Sequence, residues 1–145
     1  MLREINKIRT RENLPPLVWS VPTVRMAQEQ ALDMAQRGYF SHDRPAFSDR
    51  RSESFGERVR RFRIRAAAAE NIGTSSGYSA DNSLEKALEG WMRSPGHRRN
   101  LLNPQFRSTG IGHYRWSESV PKRGGYRLQW HDMWVQTFST AAPTD

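Results

Sequence analysis

The most informative absence from the sequence is cysteine, since the 145 residues contain none. A disulfide framework, a thiolate zinc site, an iron–sulfur cluster and a cysteine nucleophile are therefore excluded. No apolar run approaches the roughly 18 residues that a membrane-spanning helix needs, so we predict no transmembrane segment. The HExxH, GxSxG, P-loop and GxGxxG motifs are also missing, and with them the catalytic templates that spacing alone can identify.

Lysine is scarce too, and most of the positive charge is arginine. The chain has 23 Lys and Arg, of which three are lysine, against 15 Asp and Glu, for a net charge of +8. Seven arginines lie between Arg50 and Arg65, against two glutamates. Arginine binds phosphate and carboxylate groups well, so the run from Arg50 to Arg65 predicts a basic surface with an anionic partner such as a cell-envelope polymer. The other interpretation of the run is an ordinary solvated surface.

The N-terminus has no apolar stretch of the kind that marks a signal peptide. The protein is therefore either cytoplasmic or an exported protein whose leader has been removed. The length predicts one domain, which we place over residues 1–140, followed by a frayed tail over 141–145. Five Trp, four Tyr and six Phe argue against a disordered chain.

Hydrophobic periodicity changes between the two halves of the chain. Apolar residues recur at helical spacing in the first half and predict helices over about 2–12, 23–37, 54–63 and 82–92. Period-two patterns rich in aromatics predict strands over 109–116, 126–130 and 133–138, with a short one near 17–19. Helices followed by antiparallel strands indicate an α+β domain built in layers.

Among the four histidines, His97 has the most informative context. Ser94 and Pro95 resemble the N-cap and first position of a helix, which places His97 in the first helical turn. The helix dipole disfavours a charged imidazole there, so we expect His97 to be neutral. Neutral imidazole binds metal ions or accepts protons. The alternative is a histidine that only hydrogen-bonds within the turn.

His42 and Glu70 are the other candidate site residues. His42 follows two aromatic residues just past the second predicted helix. Glu70 lies between alanine and isoleucine and is expected to be half-buried, so that it needs a partner such as a neutral histidine or a metal ion. The alternative is a carboxylate that accepts backbone hydrogen bonds. His113 alternates along a strand and faces either a cleft or solvent, whereas His131 is expected in a surface turn.

Seven segments, taken in order, resemble the CAP superfamily of cysteine-rich secretory, antigen 5 and pathogenesis-related proteins. The likeness is greatest to its bacterial SCP-domain branch, in which cysteine is absent. The segments are RENLPPLVW (11–19), ALDMA (31–35), GYFSH (38–42), AENI (69–72), WMRSPGHRRNLL (91–102), GIG (110–112) and WVQTF (134–138).

This resemblance implies an α-β-α sandwich in which helices enclose a three- or four-stranded antiparallel sheet. It also implies a central groove, which we assign to His42, Glu70, Asn71, Ser94 and His97. Several family members bind a divalent metal there, so His42, His97 and Glu70 are candidate ligands for zinc. The family pattern has two histidines and two acidic residues in the groove. Ser94 stands where the second acidic residue is expected, so three candidate ligands remain.

The resemblance further implies an exported protein, in which the groove holds a metal ion, a small ligand or a lipid. We therefore expect an extracytoplasmic binding module. A second hypothesis is a zinc-dependent hydrolase in which Glu70 acts either as the third ligand or as the general base, but not as both. A third, nucleic-acid binding, is disfavoured because the tryptophans occupy core-like positions. A groove in which the histidines and Glu70 only hydrogen-bond to each other is the structural alternative.

Overall fold

The computed structural model describes residues 1–144, which form five helices and a four-stranded sheet. The elements in chain order are α1 (Leu2–Arg11), β1 (Val18–Trp19), α2 (Val21–Arg37), α3 (Phe55–Arg61), β2 (Ala68–Ser76), α4 (Ala80–Arg93), α5 (Pro95–Leu101), β3 (Ser108–Lys122) and β4 (Gly125–Ser139). The predicted α+β class is confirmed, and the predicted helices agree with α1 to α4 to within a few residues at each end.

The sheet has the strand order β1-β3-β4-β2. Both β2 and β3 are antiparallel to β4, whereas the two-residue β1 pairs in parallel with β3. The four-stranded sheet is therefore mostly antiparallel, as expected, and becomes mixed only through the short strand β1. Because β2 lies at one edge, its outer side is free to receive groups from α3 and α5.

Side chains on the two faces of the sheet enter two separate cores. One face packs against α2 through Met34, Ile72 and Val135. The other face carries Trp134 and Phe138 and packs against the remaining helices through the core residues Ile5, Leu17, Leu88, Trp91, Leu101 and Phe106. The result is the predicted sandwich, with the sheet as its middle layer.

Close packing of α2 on β3 depends on two glycines. A Cβ atom at Gly110 would lie 2.1 Å from the backbone of Thr23, and one at Gly112 would lie 2.1 Å from the carbonyl oxygen of Ala27. No side chain fits such a distance, so the GIG segment lets the helix backbone lie directly on the strand.

Three strands differ from their prediction. β3 continues to Lys122, six residues beyond its predicted end at 116. β4 runs through 131 and 132 without a turn, because His131 and Asp132 both find side-chain partners within the sheet. β2 was not predicted as a strand at all. Asp145, the last residue of the predicted frayed tail, lies outside the described residues. Within the same tail, the backbone oxygen of Thr144 accepts a hydrogen bond from the Val21 amide at 3.0 Å.

Candidate functional site

Four of the predicted groove residues are linked at the free edge of β2, namely His42 with Glu70 and Asn71 with His97. Glu70 and Asn71 are consecutive in this strand, so their side chains point to opposite faces of the sheet. Glu70 faces α3 and the loop that carries His42, whereas Asn71 faces α5, which carries His97. The strand edge therefore joins the two halves of the site.

Glu70 is held by a buried arginine. Its side chain is 1% exposed, and both of its oxygens accept hydrogen bonds from Arg58, at 2.8 and 3.0 Å. Arg58 has no exposed surface and also donates to the backbone oxygen of His42 at 2.7 Å. Glu70 is therefore fully buried, which corrects the half-buried expectation, and its required partner is a guanidinium group.

Glu70 also orients His42. Its Oε1 lies 3.0 Å from Nδ1 of His42, whose side chain is 48% exposed. A carboxylate bound to a guanidinium accepts but does not donate, so the proton of this hydrogen bond belongs to Nδ1. In the neutral ring, Nε2 then carries the free lone pair. This carboxylate–histidine arrangement is the one that commonly supports metal-binding histidines.

His97 lies in the first turn of α5, as predicted. Burial first, and the charge of His42 second, lower the pKa of His97 below its ordinary value of 6.5. The expected neutral state is supported, but the causes are burial and the neighbouring histidine, where the sequence suggested the helix dipole.

Asn71 and Asn100 fix α5 against the strand edge. Asn71 is fully buried, donates to the backbone oxygen of His97 at 3.1 Å, and accepts from the Asn100 side chain at 2.8 Å. Ser94 is the N-cap residue of α5 but makes no capping hydrogen bond through its side chain. Asn71 therefore positions His97, while Ser94 contributes to the helix start through its backbone alone.

These contacts decide how well the site suits a metal ion. Within residues 1–144, no group of three or more His, Asp or Glu side chains is arranged to hold one. Both oxygens of Glu70 already have partners, so Glu70 does not fit as a ligand. The candidate ligands that remain are His42, whose Nδ1 is engaged by Glu70, and His97.

The other two histidines lie away from this site. His113 stacks on Trp134 with ring centroids 3.7 Å apart, and its Nε2 lies 2.7 Å from buried Asp132. His131 is half-buried in β4 and lies 2.8 Å from Ser76 Oγ, so the expected surface turn is wrong.

The arginines between Arg50 and Arg65 are largely neutralised by neighbouring carboxylates. Four of them form ion pairs, which are Arg50 with Asp33, Arg51 with Glu57, Arg58 with Glu70, and Arg61 with Glu29 and Glu53. Within the described chain, Arg60, Arg63 and Arg65 form no ion pair with a carboxylate. An anionic partner of this face would therefore depend on those three residues.

Sequence reasoning missed Arg58, the residue that organises the site. A signal was present, because Arg58 shares the helical spacing i, i+3, i+4, i+7 with Phe55, Val59 and Phe62, which predicts the buried face of α3. Arg58 instead counted toward the basic run. Asn100 was also missed, and no local signal distinguishes it from a surface asparagine.

A sequence profile of CAP, the cysteine-rich secretory protein family, matches residues 2–138 of the chain. The uncharacterized protein YkwD of Bacillus subtilis is 30% identical over 110 residues, which are 74% of this chain and 38% of that protein. The uncharacterized membrane protein YlbC of the same organism is 31% identical over 74% of this chain and 28% of its own length. The chain thus spans less than two fifths of these relatives.

Solved structures show the same relationship. An extracellular SCP-domain protein of Bacillus anthracis superimposes with a TM-score of 0.70 at 32% identity, over 95% of this chain and 39% of that one. An outer surface protein of Borrelia burgdorferi has a TM-score of 0.64 at 17% identity, over 99% of this chain and 90% of that one, which shows the shared fold. In the part of the chain that the structure describes, no helix is long and apolar enough to cross a membrane.

Proposed function

Because the chain belongs to the CAP family of cysteine-rich secretory proteins, we propose that it is an extracellular binding module that holds a divalent metal ion, such as zinc, at His42 and His97. The extracellular location is supported by the similar SCP-domain protein of Bacillus anthracis, which is described as extracellular. The proposal rests chiefly on one observation, the hydrogen bond by which buried Glu70 orients the exposed His42.

His42 and His97 each have a property that favours metal binding. The Nδ1 proton is engaged by Glu70, so Nε2 of neutral His42 is available as a ligand without a change of tautomer. The lowered pKa of His97 keeps its ring neutral near pH 7, and a neutral imidazole is the form that coordinates a metal. The bound ion would supply a Lewis-acid centre at which a small polar ligand completes the coordination.

A binding role fits the site better than hydrolysis. A zinc hydrolase built from these residues needs Glu70 as third ligand or as general base. Arg58 donates to both Glu70 oxygens, and the carboxylate is almost completely buried. A group so placed neither reaches a metal-bound water nor is free to accept its proton. Glu70 serves instead to hold the imidazole.

Zinc titration by calorimetry into chelator-stripped protein, slightly above neutral pH, tests this proposal. We expect one site per chain, which is lost in His42→Ala and in His97→Ala. Glu70→Gln should weaken binding by about 10- to 100-fold, as expected for a group that supports a ligand. His131→Asn, which changes a histidine outside the site, serves as the matched control.

Two results would contradict the proposal. One is the absence of zinc binding by the unaltered chain. The other is binding that persists in His42→Ala and His97→Ala but is lost in His131→Asn. Circular dichroism of each variant establishes that the fold is retained, which is expected for His42 because its side chain is half exposed.

A further inference from the structure

The β3–β4 hairpin extends well beyond the rest of the sheet. The last residue of β2, Ser76, pairs with His131, so the segment from Ser117 to Trp130 has no third strand beside it. Six cross-strand pairs, of which Ser117–Trp130 is the first, lead to the turn, which corresponds to roughly 20 Å of two-stranded ribbon. Twelve of the fourteen residues in this segment are exposed.

One face of this ribbon is apolar and carries no charge. Tyr126, Leu128 and Trp130 alternate along β4 and are 70%, 62% and 41% exposed. Their partners across the ribbon are Pro121, Ser119 and Ser117, so the whole face is uncharged. An alternating pattern normally marks a face buried against a core. At the base of this face the guanidinium of Arg115 lies over the Trp130 ring, 4.9 Å from its centroid, whereas Tyr126 and Leu128, nearer the turn, are mostly exposed.

The opposite face and the turn are basic. Lys122, Arg123 and Arg127 lie there, and within the described residues none of them forms an ion pair with a carboxylate. The one acidic residue of the ribbon, Glu118, lies toward its base, where its Oε2 is 3.6 Å from Nε2 of His131. The outer end of the hairpin thus combines an uncharged apolar face with three cations.

We propose that this hairpin docks on an anionic phospholipid surface. Tyrosine and tryptophan are the side chains that favour the boundary between headgroups and acyl chains, because each has an apolar ring and a polar atom. An amphipathic helix with such residues on one face and Lys or Arg on the other lies in the interface, with its apolar side toward the lipid. We infer that this two-faced hairpin lies there in the same way. The cations then contact the anionic headgroups, and the net charge of +8 favours the same approach.

Sedimentation with vesicles of phosphatidylcholine alone, and of equal parts phosphatidylcholine and phosphatidylglycerol, tests the proposal. We expect binding to the anionic vesicles and little to the neutral ones. Leu128→Ser and Tyr126→Ser should each weaken binding by about tenfold. Lys122→Ala and Arg123→Ala should each weaken it by about fivefold. A blue shift in tryptophan emission on binding should be reduced in Trp130→Phe.

The chain offers a matched control for the apolar variants. Val18 is 49% exposed in the edge strand β1 and pairs with Ser108, at the end of β3 farthest from the hairpin turn. Val18→Ser therefore removes comparable apolar surface and should leave vesicle binding unchanged. His42→Ala should also leave it unchanged, so that failure of the metal site does not affect this test. All the hairpin side chains altered are exposed, and we expect unfolding temperatures close to that of the unaltered chain.

Three outcomes would overturn the proposal. The first is no binding to either kind of vesicle. The second is binding that Leu128→Ser and Tyr126→Ser leave intact, since the cations alone would then explain it. The third is a dimer, detected by light scattering, that Leu128→Ser dissociates while no vesicle binding occurs, because the apolar face would then belong to an interface between two copies.

Discussion

Arg58 is the single residue on which the candidate site depends most. It is completely buried and binds both oxygens of Glu70, so its loss leaves a buried carboxylate without a partner. We predict that Arg58→Met lowers the free energy of unfolding by about 3–5 kcal/mol. Urea denaturation measures this change, and the substitution should also release the ring of His42.

The matched control for this prediction is Arg51→Met. Arg51 forms an ion pair with Glu57, but its side chain is 80% exposed, so the expected loss is about 0–1 kcal/mol. A double variant, Arg58→Met with Glu70→Leu, removes both buried charges and should regain much of the lost stability. Equal effects of Arg58→Met and Arg51→Met would show that the buried pair has no special weight.

At the residue scale, the sequence identified the candidate residues of the site but not the buried arginine that binds Glu70. His42, Glu70 and His97 were candidates from their local sequence context, the family resemblance then placed them in one groove, and the structure does bring them to one strand edge. Arg58 was hidden because an arginine in a basic run looks like a surface residue. Burial of a charge depends on a partner distant in sequence, which local pattern does not reveal.

At the scale of elements, the contact between α2 and β3 leaves no room for a side chain at its glycines. A Cβ atom at Gly112 would lie 2.1 Å from the carbonyl oxygen of Ala27, a distance that requires the helix and the strand to separate. We predict that Gly112→Ala destabilises the protein by about 3 kcal/mol or more, as overpacking of a close contact does. Thermal and urea unfolding provide the measurement.

Gly90, inside α4, is the control for Gly112. A Cβ atom there meets nothing within 4 Å, so Gly90→Ala is free of steric cost. Because alanine is the better helix former, this variant should gain about 0.5–1 kcal/mol. The two identical substitutions thus have opposite expected signs. A loss of stability in both variants would contradict the prediction, because it would show that an added methyl group at Gly90 also carries a steric cost.

The strand that carries the site was the element least visible in the sequence. β2 has the sequence AAENIGTSS, in which alanine, glycine, asparagine and glutamate are poor strand formers. It is nevertheless a strand, because β4 pairs with it along its full length and Trp91 donates to the backbone oxygen of Ile72. The helices, in contrast, were predictable because their apolar periodicity and caps are local.

At the scale of the whole molecule, an ion-pair network ties α2 to the loop after it and to α3. Asp33 accepts two hydrogen bonds from Arg50, at 2.7 and 2.8 Å, and Glu29 accepts from Arg44 and Arg61, each at 2.6 Å. Two of the seven arginines in the run that the sequence assigned to a partner, Arg50 and Arg61, belong to this network. The same charges therefore serve the fold before any ligand.

The network makes the stability of the protein depend on pH in a definite direction. Burial raises the pKa values of Glu29 and Asp33, but hydrogen bonds from Arg61 and Arg44 to Glu29, and from Arg50 and Tyr39 to Asp33, outweigh it, so both pKa values are lowered. The folded state then binds fewer protons than the unfolded state over the acidic range. Stability is complete above the unfolded pKa values of about 4 and is lost as the pH falls through the lowered ones.

We therefore predict that the urea midpoint falls steeply below about pH 4, and that the fall is shallower in Asp33→Asn. At neutral pH this variant is already less stable, because Arg50 loses its bidentate partner, so the two curves should converge in acid. The control is Glu12→Gln, because Glu12 is exposed and forms no ion pair within residues 1–144. The urea midpoint of this variant should depend on pH in the same way as that of the unaltered chain. Parallel curves for the unaltered chain and Asp33→Asn would mean that Asp33 has the same pKa in the folded and unfolded states, and Asp33 would then have no part in the acid sensitivity.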